Sequence, residues 1–361
     1  MKTKILTAAI ASVMASSAAM AGDHSNAVSS ALANGTVSGE VYGAYRSEDD
    51  DGVDSSDFDL DVLRIGYTTN VNDSTELGIE VEWALGDGPG ENDQTIIRDL
   101  YVAKAINDNT TVTVGRFKQL ADRNVAVEQS DALFTTLALE ADALGLRRID
   151  GVEIKHANAS GLNGTLSVYK GGEDTSGGDT ERNFGYAASL GWQGGADDLS
   201  FGVTAAAFQV DGDDSGAAST EDSGYSIILN AAMGPVVASL EYLDTTEEST
   251  GNEDVDVDGI VIQGAFNLGG ASRSFDNYGV LQGPTVAKGD MGYEIGFAYS
   301  TGTEEENGFL DVDQDAMGIV LNAYCGPNTK WFLSYTDVET DNGGGADQEF
   351  DQIALGARLD F

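Results

Sequence analysis

The sequence predicts an all-β protein, a transmembrane antiparallel β-barrel of about sixteen strands. Three features point there. A secretory leader is followed by no membrane helix, apolar and polar residues alternate in runs of about ten, and the connections switch between short turns and long acidic loops.

The leader comes first. Lys2 and Lys4 form a positive start, Ile5 to Met14 is a short apolar stretch, and Ala19-Met20-Ala21 supplies a small-residue cleavage site. Residues 1–21 are read as a signal peptide and residues 22–361 as one barrel domain, entered through a short segment over 22–34. The apolar stretch falls short of the ~20 residues a membrane helix needs, and no later window supplies them. Beyond the leader stand 16 basic and 61 acidic residues, a net charge of −45. Such a polyanion repels nucleic acid, which is not expected as a partner. Acidity with few aromatics would suggest disorder, but 13 Phe, 13 Tyr and 3 Trp recur in alternating runs. Cys325 is the single cysteine, so no internal disulfide forms, and it is read as a buried or lipid-facing thiol.

The alternation is clearest in the last strand. Ile353, Leu355, Ala357, Leu359 and Phe361 share one face, while Gln352, Ala354, Gly356, Arg358 and Asp360 share the other. Sixteen such runs follow one another from Gly35, an even number, as bacterial barrels require.

The connections then sort into two kinds. Short turns fall at 70–74, 107–109, 158–162, 194–197, Gly234-Pro235 and 325–328. Longer acidic loops fall at 47–57, 87–94, 119–147, 172–182, 211–222, 245–257, 302–312 and 340–346. Short turns at one rim and long loops at the other are the asymmetry of an outer-membrane barrel. Segment 269–289 breaks the rule: it lies on the short-turn side yet runs long, with Arg273, Phe275, Tyr278 and Lys288. The sequence gives no physical account of it, and two strands concealed there would change the count.

Four stretches resemble the general diffusion porins of Gram-negative-type outer membranes. They are "IIRDLYVAK" at Ile96–Lys104, "TVTVGRFK" at Thr111–Lys118, the strand–turn–strand "RRIDGVEIKHANASGLNGTLSVYKG" at Arg147–Gly171, and the terminal "IALGARLDF" with its closing Phe361. "VGRFKQ" is also similar to the phosphate-selective porins, which keeps an anion-selective alternative open. The resemblance implies an outer-membrane porin that lets ions and small hydrophilic solutes diffuse passively through a water-filled channel. It further implies a homotrimer of sixteen-stranded barrels, assembly by the barrel-insertion machinery through the terminal strand, and contact with outer-membrane lipid and lipopolysaccharide. The third long loop, residues 119–147, would fold inward as the constriction.

Half of the cations beyond the leader fall between Arg98 and Lys155: these two with Lys104, Arg116, Lys118, Arg123, Arg147 and Arg148. By the resemblance, the constriction wall would be Arg64, Arg98, Arg116 and Arg147 or Arg148. The facing loop carboxylates would be Asp122, Glu128, Asp131, Glu140 and Asp142. Arg64 is placed by alternation, since Leu63, Ile65 and Tyr67 claim the lipid face. Arg98 is adjacent to Asp99, and strict alternation would turn one of the two outward. The acidic loops enrich cations at the mouth, so mild cation preference is the expected selectivity.

Catalytic chemistry has little to use. His24 and His156 are the only histidines, there is no G-x-S-x-G elbow, and no enzyme is expected. Asp254-Val-Asp256-Val-Asp258-Gly259 opens like a calcium loop, but its twelfth position is Ala265 instead of Glu. A secreted calcium-dependent binding or adhesion protein is the alternative from another class, and it weakens with that loop. Finally, four strands begin with alternate acids: Asp57, Asp59 and Asp61; Asp254, Asp256 and Asp258; Asp311, Asp313 and Asp315; Asp347, Glu349 and Asp351. Each set shares parity with the lipid-facing residues after it, so unbroken strands would point these acids outward. Structural Ca²⁺ or Mg²⁺ between Asp254, Asp256 and Asp258, or Asp311, Asp313 and Asp315, is the one cofactor considered. A bulge would turn them into the vestibule instead.

Overall fold

The structure, a computed structural model, describes residues 35–50, 52–84, 94–119, 148–174, 181–196, 199–211, 220–249, 254–306, 312–341, 343 and 348–361. The leader, the segment 22–34 and the loop over 120–147 lie outside them. Sixteen strands run in chain order: β1 (Thr36–Asp50), β2 (Val53–Asn72), β3 (Thr75–Ala84), β4 (Gln94–Asn107), β5 (Thr110–Lys118), β6 (Arg148–Ala157), β7 (Leu162–Asp174), β8 (Glu181–Ala196), β9 (Leu199–Asp211), β10 (Thr220–Met233), β11 (Val236–Ser249), β12 (Val255–Leu268), β13 (Met291–Glu306), β14 (Val312–Cys325), β15 (Thr329–Asp341) and β16 (Gln348–Asp360). Each pairs antiparallel with its sequence neighbours, and β1 pairs with β16 to close the barrel. This is the predicted fold class with the predicted strand count. No described helix is long and apolar enough to cross a membrane.

Period-two patterning sorts the side chains. On β14, Met317, Ile319 and Leu321 are exposed on the outside, while Ala316, Val320, Asn322 and Tyr324 are buried within. The outer face is apolar on almost every strand, and the buried set is rich in Ser, Thr, Asn, Gln, Glu and Arg. That inversion of a soluble protein is what lipid outside and water inside demand. Cys325 is exposed on the outward side of β14, which agrees with the lipid-facing reading.

Several strands outrun their hydrophobic alternation at the long-loop rim. β1 reaches Asp50, β11 reaches Ser249 and β13 reaches Glu306, so much of the expected loops 47–57, 245–257 and 302–312 is paired strand. Backbone hydrogen bonds need no apolar side chain, so the ladder continues above the level at which the side chains turn acidic.

Segment 269–289 contributes no barrel strand. It forms a small folded-back unit with isolated bridges Ser272↔Thr285 and Phe275↔Leu281. Leu281 packs with Ala232, Val237 and Ala265, which face into the barrel from β10, β11 and β12, and Phe275 packs against that group. Asn230 donates from Nδ2 to the carbonyl of Gly279 at 3.2 Å. Gly279 has φ +85°, and a Cβ there would meet the Gln193 and Asn230 amides, so the tip needs glycine. The connection therefore folds into the lumen instead of lying at the rim, which is why it is long.

Placing a charge on the outer face should cost far more than a polar change inside. Leu321→Arg is expected to lower folding stability in lipid vesicles by about 2–4 kcal/mol, while Ser334→Asn on the lumen side leaves it near the parent value. Urea titration of vesicle-inserted protein measures both.

Candidate functional site: a charged ramp on the lumen wall

Most of the lumen's described cations lie on one side, on β15, β16, β2, β4 and β6. The row starts near the short-turn rim, where Lys330 on β15 stands opposite Arg358 on β16. The Arg358 guanidinium reaches Glu40 Oε2 at 2.9 Å and Asp360 Oδ1 at 2.9 Å. Glu40, on β1, also accepts from Arg64 Nη1 at 2.9 Å, and Arg64 Nε donates to Glu82 on β3. Arg98 on β4 donates to the same Glu82 and lies 3.3 Å from Glu80 Oε1. Arg148, the first residue of β6 at the long-loop rim, bonds Asp99 Oδ1 at 2.8 Å and lies 3.5 Å from Glu80. The row crosses from strand to strand, and because barrel strands tilt, it climbs the wall from one rim to the other. Arg64 and Glu82 are both mostly buried, so this is a packed, cross-linked surface.

A β-bulge settles the Arg98 and Asp99 conflict. In the β3–β4 ladder Glu80 pairs with Asp99 and Val81 pairs with Ile97, which leaves Arg98 as an extra residue. The inserted residue breaks parity, so Ile97 and Leu100 stay outside while Arg98 reaches the lumen carboxylates and Asp99 accepts from the Arg148 guanidinium. Sequence alternation could not anticipate this. Glu40, Glu80, Glu82 and Arg358 join the wall beyond the residues expected from the sequence, although Arg358 sits on the polar face of the most regular strand.

Arg116 departs from the expected wall. It is opposite Leu100 on β4 and Asp150 on β6, in the parity of outward Val114 and Val152. Its guanidinium lies 3.8 Å from Asp150 on the outer face. The reason is local: Phe117 and Ile149 are paired and buried inside, which forces their neighbours outward. Arg147 and the loop carboxylates Asp122, Glu128, Asp131, Glu140 and Asp142 lie outside the described residues. Just below the third loop's ends, Phe117, Ile149, Tyr169 and Ala187 form an inward apolar patch on β5 to β8, with Tyr101 and Phe208 against it.

The outward acids also have partners other than metal. β12 and β14 run without bulges, so Asp256, Asp258, Asp313 and Asp315 project outward as parity predicts. Thr246 donates to Asp256 at 2.6 Å, Thr303 to Asp313 at 2.7 Å and Tyr299 to Asp315 at 2.9 Å. Asp254 is half-buried just before β12, and Asp311 lies outside the described residues. Among the described residues no three acidic side chains converge as a metal site requires. Successive outward residues on one strand stand about 7 Å apart, and the described carboxylates Asp256, Asp313 and Asp315 accept from hydroxyls. On β2 the bulge alternative holds: the register shifts between Tyr42 and Ala44, and Asp57 is paired with Arg46 on the lumen side.

The inward segment is held by a buried ion pair. Arg273 donates through Nε and Nη2 to the Glu294 carboxylate on β13, with no side-chain exposure on either partner. Tyr324 and Asn322 of β14 each donate to Glu294 Oε1 at 2.8 Å, and Arg273 Nη1 donates to the Gln282 carbonyl.

Residues 38–361 match the family described as phosphate-selective porin O and P. No curated protein matches the chain in sequence. Similar solved structures include the anion-selective porin from Comamonas acidovorans, with TM-score 0.60 and 15% identity over 91% of this chain and 99% of that one. The trimer form of OmpT from Vibrio cholerae has TM-score 0.58 and 15% identity over 91% and 99%. OprB of Pseudomonas putida has TM-score 0.62 and 9% identity over 95% and 98%. At these identities the likeness is one of fold.

Removing one partner of a buried ion pair strands the other. Glu294→Ala is therefore expected to cost about 3–5 kcal/mol, spent first on undocking residues 269–289. Limited proteolysis should then cut within that segment, and single-channel conductance should rise, because the lumen is less filled.

Proposed function

The chain belongs to the phosphate-selective porin O and P family, and on that footing we propose that its ramp of wall cations guides small anions of the phosphate class through the pore. The coarser function is plain. This is an outer-membrane β-barrel channel of porin type for passive diffusion, and its family consists of channels, not catalysts. That membership removes the support for a secreted calcium-dependent binding protein.

The observation that carries the anion reading is the concentration of Lys330, Arg358, Arg64, Arg98 and Arg148 along one climbing line of the lumen. In a chain with 18 basic and 61 acidic residues, such a line is the only stretch of described wall where an anion meets successive positive groups. Guanidinium groups suit phosphate because their planar donors match its oxygens in pairs. The fold shared with an anion-selective porin supports the same reading.

A second reading, mild cation preference, is favoured by one specific feature. The four arginines are tied to five carboxylates, Glu40, Glu80, Glu82, Asp99 and Asp360. Their field is largely cancelled locally, and the acidic rim then dominates. We also read the chain as a signal-peptide-bearing precursor, cleaved after Ala21, that assembles with copies of itself in lipopolysaccharide-containing membrane, with loop 119–147 as an inward constriction.

Reversal potentials across a potassium chloride gradient separate the readings. Chloride preference at low salt, with conductance reduced by millimolar phosphate, supports the anion channel. Potassium preference that phosphate leaves unchanged supports the second. In either case Arg64→Ala releases Glu40 and Glu82 from their shared partner, so cation preference is expected to rise several-fold while the barrel still assembles. An Arg64→Ala channel with unchanged selectivity would take the ramp out of the conduction path.

A further inference from the structure

The lumen wall away from the ramp carries a group of hydrogen-bond acceptors. Asn163 on β7, Asn230 on β10 and Asn267 on β12 face inward and are buried. Each donates from Nδ2 to a backbone carbonyl: that of Gly161 at 3.4 Å, Gly279 at 3.2 Å and Pro235 at 3.0 Å. Those bonds orient the amides, and each Oδ1 is left without a partner among the described residues. Thr204 on β9 is 1% exposed, and its Oγ1 is in the same condition. An amide oxygen accepts and never donates, and a buried acceptor without a donor is costly.

Two of these oxygens converge. Gly191 on β8 pairs with Asn163 on one side and with Thr204 on the other. A Cβ on Gly191 would stand 2.8 Å from Asn163 Oδ1 and 2.6 Å from Thr204 Oγ1, so both oxygens lean over the space that glycine leaves. A lumen cation adjoins them. Lys155 on β6 is half-buried and pairs with Thr165, whose hydroxyl shares a 2.8 Å hydrogen bond with Ser189. Asn163 is two residues from Thr165 on the same face, which makes it the diagonal neighbour of Lys155, about 7–8 Å away and within reach of a long side chain. Unlike the ramp arginines, Lys155 forms no ion pair among the described residues. Glu153, two residues along β6, is fully enclosed and accepts from Ser167 at 3.1 Å.

We infer that Lys155, Asn163 and Thr204 form a solute subsite for hydroxylated organic anions of the sugar-phosphate class. The Lys155 ammonium is a point charge with three donors and takes the anionic end. The amide and hydroxyl oxygens over Gly191 take O–H donors from the same solute. A sugar brings several such donors and inorganic phosphate brings few, so a bare anion gains little from this wall and meets oxygens that repel its own. The ramp does not make that distinction, because its guanidinium groups recognise the phosphate oxygens that both kinds of anion carry. The subsite thus adds discrimination by the hydroxylated part of the solute. It names a substrate class for the anion reading and rests on it.

The experiment measures block of the open-channel current of the full chain in planar bilayers, with glucose 6-phosphate and inorganic phosphate as probes. Half-block by glucose 6-phosphate is expected at a concentration about tenfold below that for inorganic phosphate. Lys155→Gln is expected to raise the glucose 6-phosphate value about tenfold and the inorganic phosphate value less than about twofold. Thr204→Val, close in shape, and Gly191→Ala, whose Cβ fills the shared space, are each expected to raise only the glucose 6-phosphate value, several-fold. Heat-modifiable migration shows that each variant is a folded barrel. Lys155 is only half-buried, so its variant decides the matter if the two buried changes fail to assemble. Equal block by the two probes in the parent, or variants that shift both alike, overturns the proposal. The potassium chloride gradient decides the anion reading separately. Chloride preference with equal block leaves that reading standing and removes the subsite, whereas potassium preference with block by neither probe removes both.

Discussion

The closing ladder between β1 and β16 is the interaction on which everything else depends. Eleven residue pairs, from Glu40↔Asp360 to Asp50↔Phe350, join the two ends of the folded chain. Without them, two strands would carry unpaired backbone groups into hydrocarbon, where nothing can satisfy them. Closure also fixes the inside and outside for all sixteen strands at once, because each ladder passes its parity to the next. A charged side chain is thus committed to lumen or lipid by its register alone, unless a bulge intervenes.

Bulges are where this barrel departs from that commitment, and two of them, in β2 and β4, fall among its charged positions. In β4 the extra residue brings Arg98 and Asp99 to the same side, adding a cation and an acid to the wall. In β2 the shift takes Asp57 to the Arg46 side and away from the outer face. Each bulge costs some regularity of hydrogen bonding, and each places charge where water is available. Elsewhere, on β12 and β14, the ladder is regular and the acids remain outside, with Thr and Tyr hydroxyls as their partners. A highly acidic chain has therefore been accommodated in two ways: guanidinium pairing within the lumen and hydroxyl capping on the outer rim.

The lumen is filled from the short-turn side by a segment with its own small core. Ala271 and Val286 pack on Tyr324, and Leu281 packs on the β10 to β12 wall. The Arg273–Glu294 pair between these patches is wholly enclosed. Such a pair adds little net stability compared with an apolar substitute, but it tolerates only one docking position, since a shifted segment would leave a buried charge alone. It fixes where the segment sits across the lumen from the charged ramp on β16 to β6.

The sequence by itself determined the barrel, its sixteen strands, the two kinds of rim and the inward side of Arg64. All of these follow from period-two patterning and turn chemistry, which are local. It also contained the outward acids of β12 and β14, because those strands are regular. What it could not contain was anything decided by a partner strand. Arg116 faces out because Phe117 and Ile149 fill the inside together. Arg98 and Asp99 face in together because β3 skips a residue opposite them. The long turn 269–289 has no periodicity to read, since its structure is set by the lumen wall it rests on. Alternation is written along one chain, but register and bulges arise only between neighbouring strands, and the closed barrel is what brings those neighbours together.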